Sequence, residues 1–257
     1  MNRFTKITSR ENSNVKEVIL LQKSAKTRKE KGLFVLEGLR LCLDAVENGF
    51  VPDKVFLSSI QLHKNPEIVD KFSKAREFYE TSDGVFEKIS DTVNPQGILC
   101  TFKIPEHNDN IKTNGKYIAL ENIQDPSNLG AISRTAEAFN VDGIIIQGGC
   151  DPYSSKSLRA SMGALLRLPV IETDDMFELF RKYSLTTYAS VVTKDATPIN
   201  NIKFKDGCVI IIGNEANGVS DNAICSSDCL FTIPMTGKAE SLNAAVAASI
   251  IIWEICK

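Results

Sequence analysis

Hydrophobic and polar positions change their rhythm along the chain. The apolar set Val15, Val18, Ile19 and Leu21 recurs at helical spacing, with lysines between, and predicts an amphipathic helix running into the basic stretch Lys26, Arg28, Lys29 and Lys31. From Leu33 the pattern predicts strand Leu33–Leu36, helix Leu39–Asn48, strand Lys54–Ser58 and helix Pro66–Ala75, then β pieces near Glu77–Glu80 and Gly97–Phe102. Alternation of this kind predicts a small α/β domain.

The second half repeats the alternation more strongly. It predicts strand Tyr117–Glu121, helix Leu129–Phe139, strand Gly143–Gln147, and helices Ser155–Leu165 and Asp175–Tyr183. Strands Thr187–Val192, Cys208–Ile212 and Leu230–Ile233 follow, before a final helix Leu242–Cys256. Unbroken apolar runs such as Cys208–Ile212 suit strands buried on both faces, so the expected class is α/β, with a mostly parallel sheet covered by helices. The polar stretch from Pro105 to Asn114 separates the halves. The expected division is a first domain over residues 1–105, a linker over 106–114 and a second domain over 115–257.

Composition narrows the class. With 257 residues, 43% hydrophobic and 24% charged, the chain suits two globular domains and excludes collagen-like, coiled-coil or disordered readings. Its longest nearly unbroken apolar run, Ala244–Trp253, is too short to cross a bilayer, and Met1–Arg10 does not read as a secretory signal, so a cytoplasmic location is expected. Seven scattered cysteines suit reduced thiols. Cys225 and Cys229 come nearest to a metal-ligand pair, but the only histidines, His63 and His107, are distant, and no metal is expected. The net charge of −2 argues against a nucleic-acid partner only until it is divided: ten basic and four acidic side chains fall within residues 1–40, leaving −8 for the rest. The amino-terminal end is suited to polyanions, a solvated helix face being the bland alternative.

Three loops carry candidate chemistry. Glu121 to Gly130 (ENIQDPSNLG) is a polar strand-to-helix turn in which Asn128 is suited to cap the following helix; Arg134 lies two turns in, able to lean back over a helix end that favours anions. An Arg134–Glu137 surface pair is the alternative. Gly213-Asn214-Glu215-Ala216-Asn217-Gly218 follows an apolar strand, yet lacks the Lys-Ser or Lys-Thr of a P-loop, and no GxGxxG supports a dinucleotide site. Ile233-Pro234-Met235 through Ser241-Leu242-Asn243 leads into a helix apolar on nearly every side, with Ser241 a natural cap and Asn243 either a ligand-binding residue or a satisfied core amide.

Together, in order and flanking strands, these loops resemble the three motifs of the SpoU (TrmH) family of RNA ribose 2′-O-methyltransferases in the SPOUT superfamily. Asp125 to Ala136 resembles the first motif, Gly213-Asn214-Glu215 with Gly218 the second and Ile233–Asn243 the third; Ser161-Met162-Gly163-Ala164 fits the intervening segment. Phe34-Val35-Leu36-Glu37-Gly38 and Asn94-Pro95-Gln96-Gly97 resemble, less strictly, the family's amino-terminal substrate-binding domain, itself similar to small RNA-binding ribosomal proteins. The resemblance implies a deep trefoil knot, S-adenosylmethionine as cofactor, a homodimer through the second domain and RNA as substrate, ribosomal RNA being favoured over tRNA. Gly213, Asn214, Gly218, Ile233, Met235, Leu242 and Asn243 would hold the cofactor. Arg134 would be the catalytic arginine, and Asn128, Glu215, Ser241 and Asn243 would shape the site and hold the target nucleotide.

A guanidinium is a poor base near neutral pH, which favours Arg134 as a phosphate ligand and alkoxide stabiliser over Arg134 as proton acceptor. A non-catalytic RNA-binding protein on the same fold is the main rival. A dehydrogenase is a second one that the missing glycine fingerprint disfavours.

Overall fold

The computed structural model describes residues 4–105, 111–193 and 195–257. His107 and most of the expected linker, with Met1, Asn2 and Arg3, lie outside the described residues. The chain divides into two compact units, Met1–Glu106 with Tyr153–Arg159, and His107–Pro152 with Ala160–Lys257.

In the first unit the elements are β1 (Thr5–Ile7), α1 (Ser13–Lys23), α2 (Ala25–Lys31), β2 (Leu33–Glu37), α3 (Leu39–Glu47), β3 (Pro52–Ser58), α4 (Ser59–Lys64), α5 (Ile68–Lys71), β4 (Glu77–Thr81), α6 (Asp83–Ile89) and β5 (Ile98–Lys103). The sheet runs β1-β4-β3-β5-β2, with β1, β4 and β3 parallel and β5 antiparallel to both its neighbours. Asn12 caps α1 by accepting from the Asn14 N–H at 2.9 Å. The stripe Val15, Val18 and Leu21 then packs in a core with Val35, Phe56 and Leu99. Ser24 ends α1 and caps α2, and Gly32 closes α2 at φ +62°.

The expected helix Pro66–Ala75 shrinks to α5, and an unexpected short helix, α4, precedes it. Ser58 starts α4 early by accepting from the Gln61 N–H at 3.1 Å, and Asn65-Pro66 interrupts the path before α5.

In the second unit the elements are β6 (Lys116–Glu121), α7 (Pro126–Ala138), β7 (Gly143–Gln147), α9 (Ala164–Arg167), β8 (Val170–Glu172), α10 (Met176–Lys182), β9 (Thr186–Ser190), β10 (Thr197–Pro198), a 3-10 turn at Ile199–Asn201, β11 (Cys208–Ile212), α11 (Asp221–Ser226), β12 (Cys229–Thr232) and α12 (Ala244–Ile255); α8 (Ser155–Ser161) falls between β7 and α9 in sequence, with its residues up to Arg159 counted in the first unit. The sheet order is β10-β12-β9-β11-β6-β7-β8 and every pairing is parallel. All of β11 is buried, as its unbroken apolar run requires.

Because the strands share one direction, the loops after β6, β11 and β12 leave the same edge of the sheet, the edge at which α/β folds bind ligands. Ile111, inside the segment read as linker, is buried in this unit's core with Tyr117, Val209 and Phe180. The expected helix Ser155–Leu165 breaks into α8 and α9 at Met162 (φ +50°) and Gly163 (φ +88°). No helix of the described residues is long and apolar enough to cross a membrane.

Candidate active site

The first loop starts where β6 ends. Asp125, not Asn128, caps α7: its carboxylate accepts from the Ser127 N–H at 2.8 Å, and Pro126 takes the first helical position, where a missing N–H costs nothing. The helix therefore begins three residues earlier than Asn128 would allow. Asn128 is buried inside its first turn and serves the other loops instead. Its Nδ2 donates to Glu215 Oε1 at 2.7 Å, and its Oδ1 accepts from Asn243 Nδ2 at 3.0 Å.

The second loop is a tight hairpin. Asn214 and Gly218 exchange backbone hydrogen bonds of 2.9 Å, while Asn214 Oδ1 accepts from the Ala216 and Asn217 N–H groups at 2.7 and 3.2 Å and its Nδ2 donates to Asn122 O at 2.9 Å. A Cβ on Gly213 would lie 2.0 Å from the Gly218 carbonyl carbon, so the strand can meet its own hairpin only through glycine. Glu215 accepts from the backbone N–H groups of Gln124 and Asp125, both at 3.3 Å. Burial acts to raise its carboxyl pKa, but the Asn128 amide and the N–H groups of Glu215, Gln124 and Asp125 outweigh it and hold the group below the ordinary glutamate value.

The third loop ends at Asn243, which caps α12 by accepting from the Ala245 and Val246 N–H groups at 2.9 and 3.2 Å. Ser241, expected as the cap, is exposed two residues upstream. Both residue types cap well, but the Asn243 amide can cap the helix with its oxygen while its nitrogen reaches Asn128. Between Met235 and Leu242 no backbone N–H or C=O is paired among the described residues. Ile233, Met235 and Leu242 are half-buried.

The structure thus joins Asn128, Glu215 and Asn243 in one hydrogen-bonded set, ties Asn214 to Asn122 beside it, and leaves Ser241 apart from it. Arg134 is exposed on α7 and makes no ion pair or hydrogen bond among the described residues. The alternative Arg134–Glu137 pair is not formed. Glu137 instead takes Arg167, whose Nη2 donates to Oε2 at 2.9 Å.

Two residues that sequence reasoning missed support the site from beneath. Glu121, buried at the end of β6, accepts from both the N–H (2.8 Å) and the hydroxyl (2.6 Å) of Ser220, which caps α11 just after the Gly213–Gly218 hairpin. A carboxylate at a buried strand end was the available signal; its partner 99 positions away was not.

The SpoU rRNA Methylase family model matches residues 115–253, which hold all three loops. The chain belongs to the SpoU rRNA methylase family. Its amino-terminal half matches the MRM3-like substrate binding domain over residues 12–100. Among SpoU relatives, an uncharacterized tRNA/rRNA methyltransferase of Synechocystis sp. is 32% identical over 96% of this chain and 92% of its own. The 23S rRNA (guanosine(2553)-2′-O)-methyltransferase RlmP of Bacillus subtilis is 27% identical over 97% and 98%. The AdoMet-bound rRNA methyltransferase of Sinorhizobium meliloti superposes with a TM-score of 0.86 at 28% identity, covering 98% of this chain and 97% of that one.

This SpoU protein is an RNA methyltransferase that uses S-adenosylmethionine. Its residues fit that cofactor. The unpaired backbone groups from Met235 to Leu242 offer donors and acceptors to a purine edge and to ribose hydroxyls, beside the half-buried side chains of Ile233, Met235 and Leu242. Among the described residues no group of His, Cys, Asp and Glu is arranged to hold a metal ion.

Proposed function

We propose that the protein methylates the 2′-hydroxyl of one ribose in ribosomal RNA, with tRNA as the alternative acceptor. In this reading residues 1–105 bind the RNA, residues 115–257 carry the reaction and form the homodimer, and the last three loops are knotted as the resemblance implies. The hydrogen-bonded chain Glu215–Asn128–Asn243 carries the reading, because it locks the three loops into one rigid frame. The names of the relatives, several of which act on rRNA, support the choice of acceptor.

The cofactor supplies an electrophilic methyl group on sulfur. Everything else falls to the protein. Gly213, Asn214, Gly218, Ile233, Met235 and Leu242 hold it, largely through backbone groups, and Asn243 fixes where the third loop ends. The acceptor hydroxyl must lose its proton as the new carbon–oxygen bond forms. Arg134, exposed and without a partner among the described residues, is available to bind a phosphate flanking the target ribose and to stabilise the developing alkoxide. Glu215 stays ionised at neutral pH, but its lone pairs are spent on the loop that it organises, which makes it a positioning group. Ser241, exposed beside the third loop, is free to meet the nucleotide.

The test is transfer of tritiated methyl groups from S-adenosylmethionine to rRNA from cells lacking the gene. Label recovered in alkali-resistant dinucleotides is the expected result, because a methylated 2′-oxygen cannot attack its phosphate. Cofactor binding without incorporation would favour the non-catalytic RNA-binding rival.

A further inference from the structure

The basic amino-terminal stretch is less available than its charge count suggests. Lys16 pairs with Glu11 at 2.7 Å, Lys31 with Glu17 at 2.5 Å and Lys26 with Glu30 at 3.8 Å. Arg28 is buried, its Nη1 donating to the Leu21 and Gln22 carbonyls at the end of α1. Lys23 is exposed and pairs with no acid among the described residues.

Lys23 lines a cavity of about 490 Å³ in the first unit, where the exposed Lys88 of α6 and Lys156 of the Tyr153–Arg159 segment also line the wall; among the described residues neither makes an ion pair, and the one acid near Lys88 is the exposed Glu11, which is paired with Lys16. Arg28 adds a fourth positive charge. The one lining acid, Asp91, is already engaged by Arg159 at 2.9 Å, and Arg159 Nη1 is buried with no hydrogen-bond partner. The walls are held in place. Gln22 Nε2 donates to Ile89 O at 2.7 Å, joining α1 to α6, and the buried Glu37 accepts from Ser90 Oγ at 2.5 Å and from the Asp91 N–H at 2.8 Å. Three lysines, from positions 23, 88 and 156, line one notch, and among the described residues none of them is held in an ion pair.

We propose that this notch is a phosphate-binding site for the RNA backbone, in which Lys23, Lys88 and Lys156 together engage consecutive phosphodiesters. It rests on the RNA reading above and gives that reading a specific anchoring place. Phosphate contacts of this kind set register on the RNA without reading its bases, so the site governs affinity and salt dependence, not the chemistry.

The test compares the full-length protein with the triple variant Lys23→Gln/Lys88→Gln/Lys156→Gln in filter binding to a large-subunit rRNA transcript across a salt series. All three side chains are exposed, so the fold should persist; unchanged S-adenosylmethionine affinity by calorimetry checks it. A control triple, Lys64→Gln/Lys71→Gln/Lys74→Gln, removes the same charge from exposed positions outside the notch. The expected result is a loss of RNA affinity of about tenfold or more, and a slope of log affinity against log salt smaller by about 2 to 3, at roughly 0.7–0.9 per phosphate contact, in the first variant alone. Equal loss in both triples, or none in the first, overturns the proposal. If the wild type binds the transcript but transfers no methyl to any rRNA, the functional reading fails while this comparison still decides the site.

Discussion

Asn128 and Glu215, 87 positions apart in sequence, are joined by a hydrogen bond of 2.7 Å between the amide of one and the carboxylate of the other. The same amide accepts from Asn243 at 3.0 Å, so its orientation is fixed at both ends.

Replacing Asn128 by Ala strips a donor from Glu215 and an acceptor from Asn243 around a buried position. The expected cost is about 1–3 kcal/mol in urea unfolding, together with a loss of S-adenosylmethionine affinity by calorimetry. Asn128→Asp should be no milder, since it sets a second carboxylate against Glu215.

Gly213 and Gly218 should respond very differently to alanine. At Gly213 the added carbon would meet backbone atoms at 2.0 and 2.1 Å, and the hairpin must open. At Gly218 nothing lies within 4 Å and only the φ of +69° is disfavoured, a cost of about 1–2 kcal/mol. Thermal melts should rank G213A well below G218A, and cofactor binding should be lost in the first and kept in the second.

The Glu215 carboxyl is held below its ordinary value, so its contribution to stability is fully present above the ordinary glutamate range and is lost as pH falls through the lowered value. The difference in Tm between wild type and Glu215→Gln should be constant from neutral pH down to that range and shrink below it. A difference that grows on acidification would contradict the carboxylate's place in the loop.

These contacts mark how far the sequence could be read. The parallel sheet, α7 and the three loops were legible, because runs such as Cys208–Ile212 and Gly143–Gln147 admit few other structures. Short elements were not: β1, α6, β8 and α11 span three to seven residues each, too few to show a period. The starts of α7 and α12 were misplaced for a local reason. In each, two cap-forming residues lie two or three positions apart, Asp125 with Asn128 and Ser241 with Asn243, and the choice was made by partners on other loops and by Pro126. For Glu121 the sequence offered only a carboxylate at a buried strand end and nothing of its partner, since which distant helix cap meets that strand end is a tertiary property.

Arg134→Ala should leave the melting temperature nearly unchanged, since the side chain is exposed and unpaired among the described residues. RNA affinity should stay within a few-fold while methyl transfer disappears. Arg134→Lys should recover little, because a point charge cannot reproduce a planar fork of donors on phosphate.

Val246, Ile250 and Trp253 line one side of α12 and are exposed, Trp253 by 57%, with Phe139 of α7 edge-on to its ring. In the proposed homodimer this stripe is the face that the partner covers. Val246→Glu with Trp253→Glu should give a monomer by sedimentation, whereas a wild type that sediments as a monomer would refute the dimer.

The Gly213 turn also governs how this region is free to vary over generations. Position 213 admits no side chain, Asn214 spends both ends of its amide on neighbouring backbone, and Glu215 is bound on three sides. Ala216 and Asn217 face solvent and contribute only their main chain to the hairpin. Mutational drift in the hairpin is thereby funnelled to its tip, where new side chains can appear without disturbing the frame behind them.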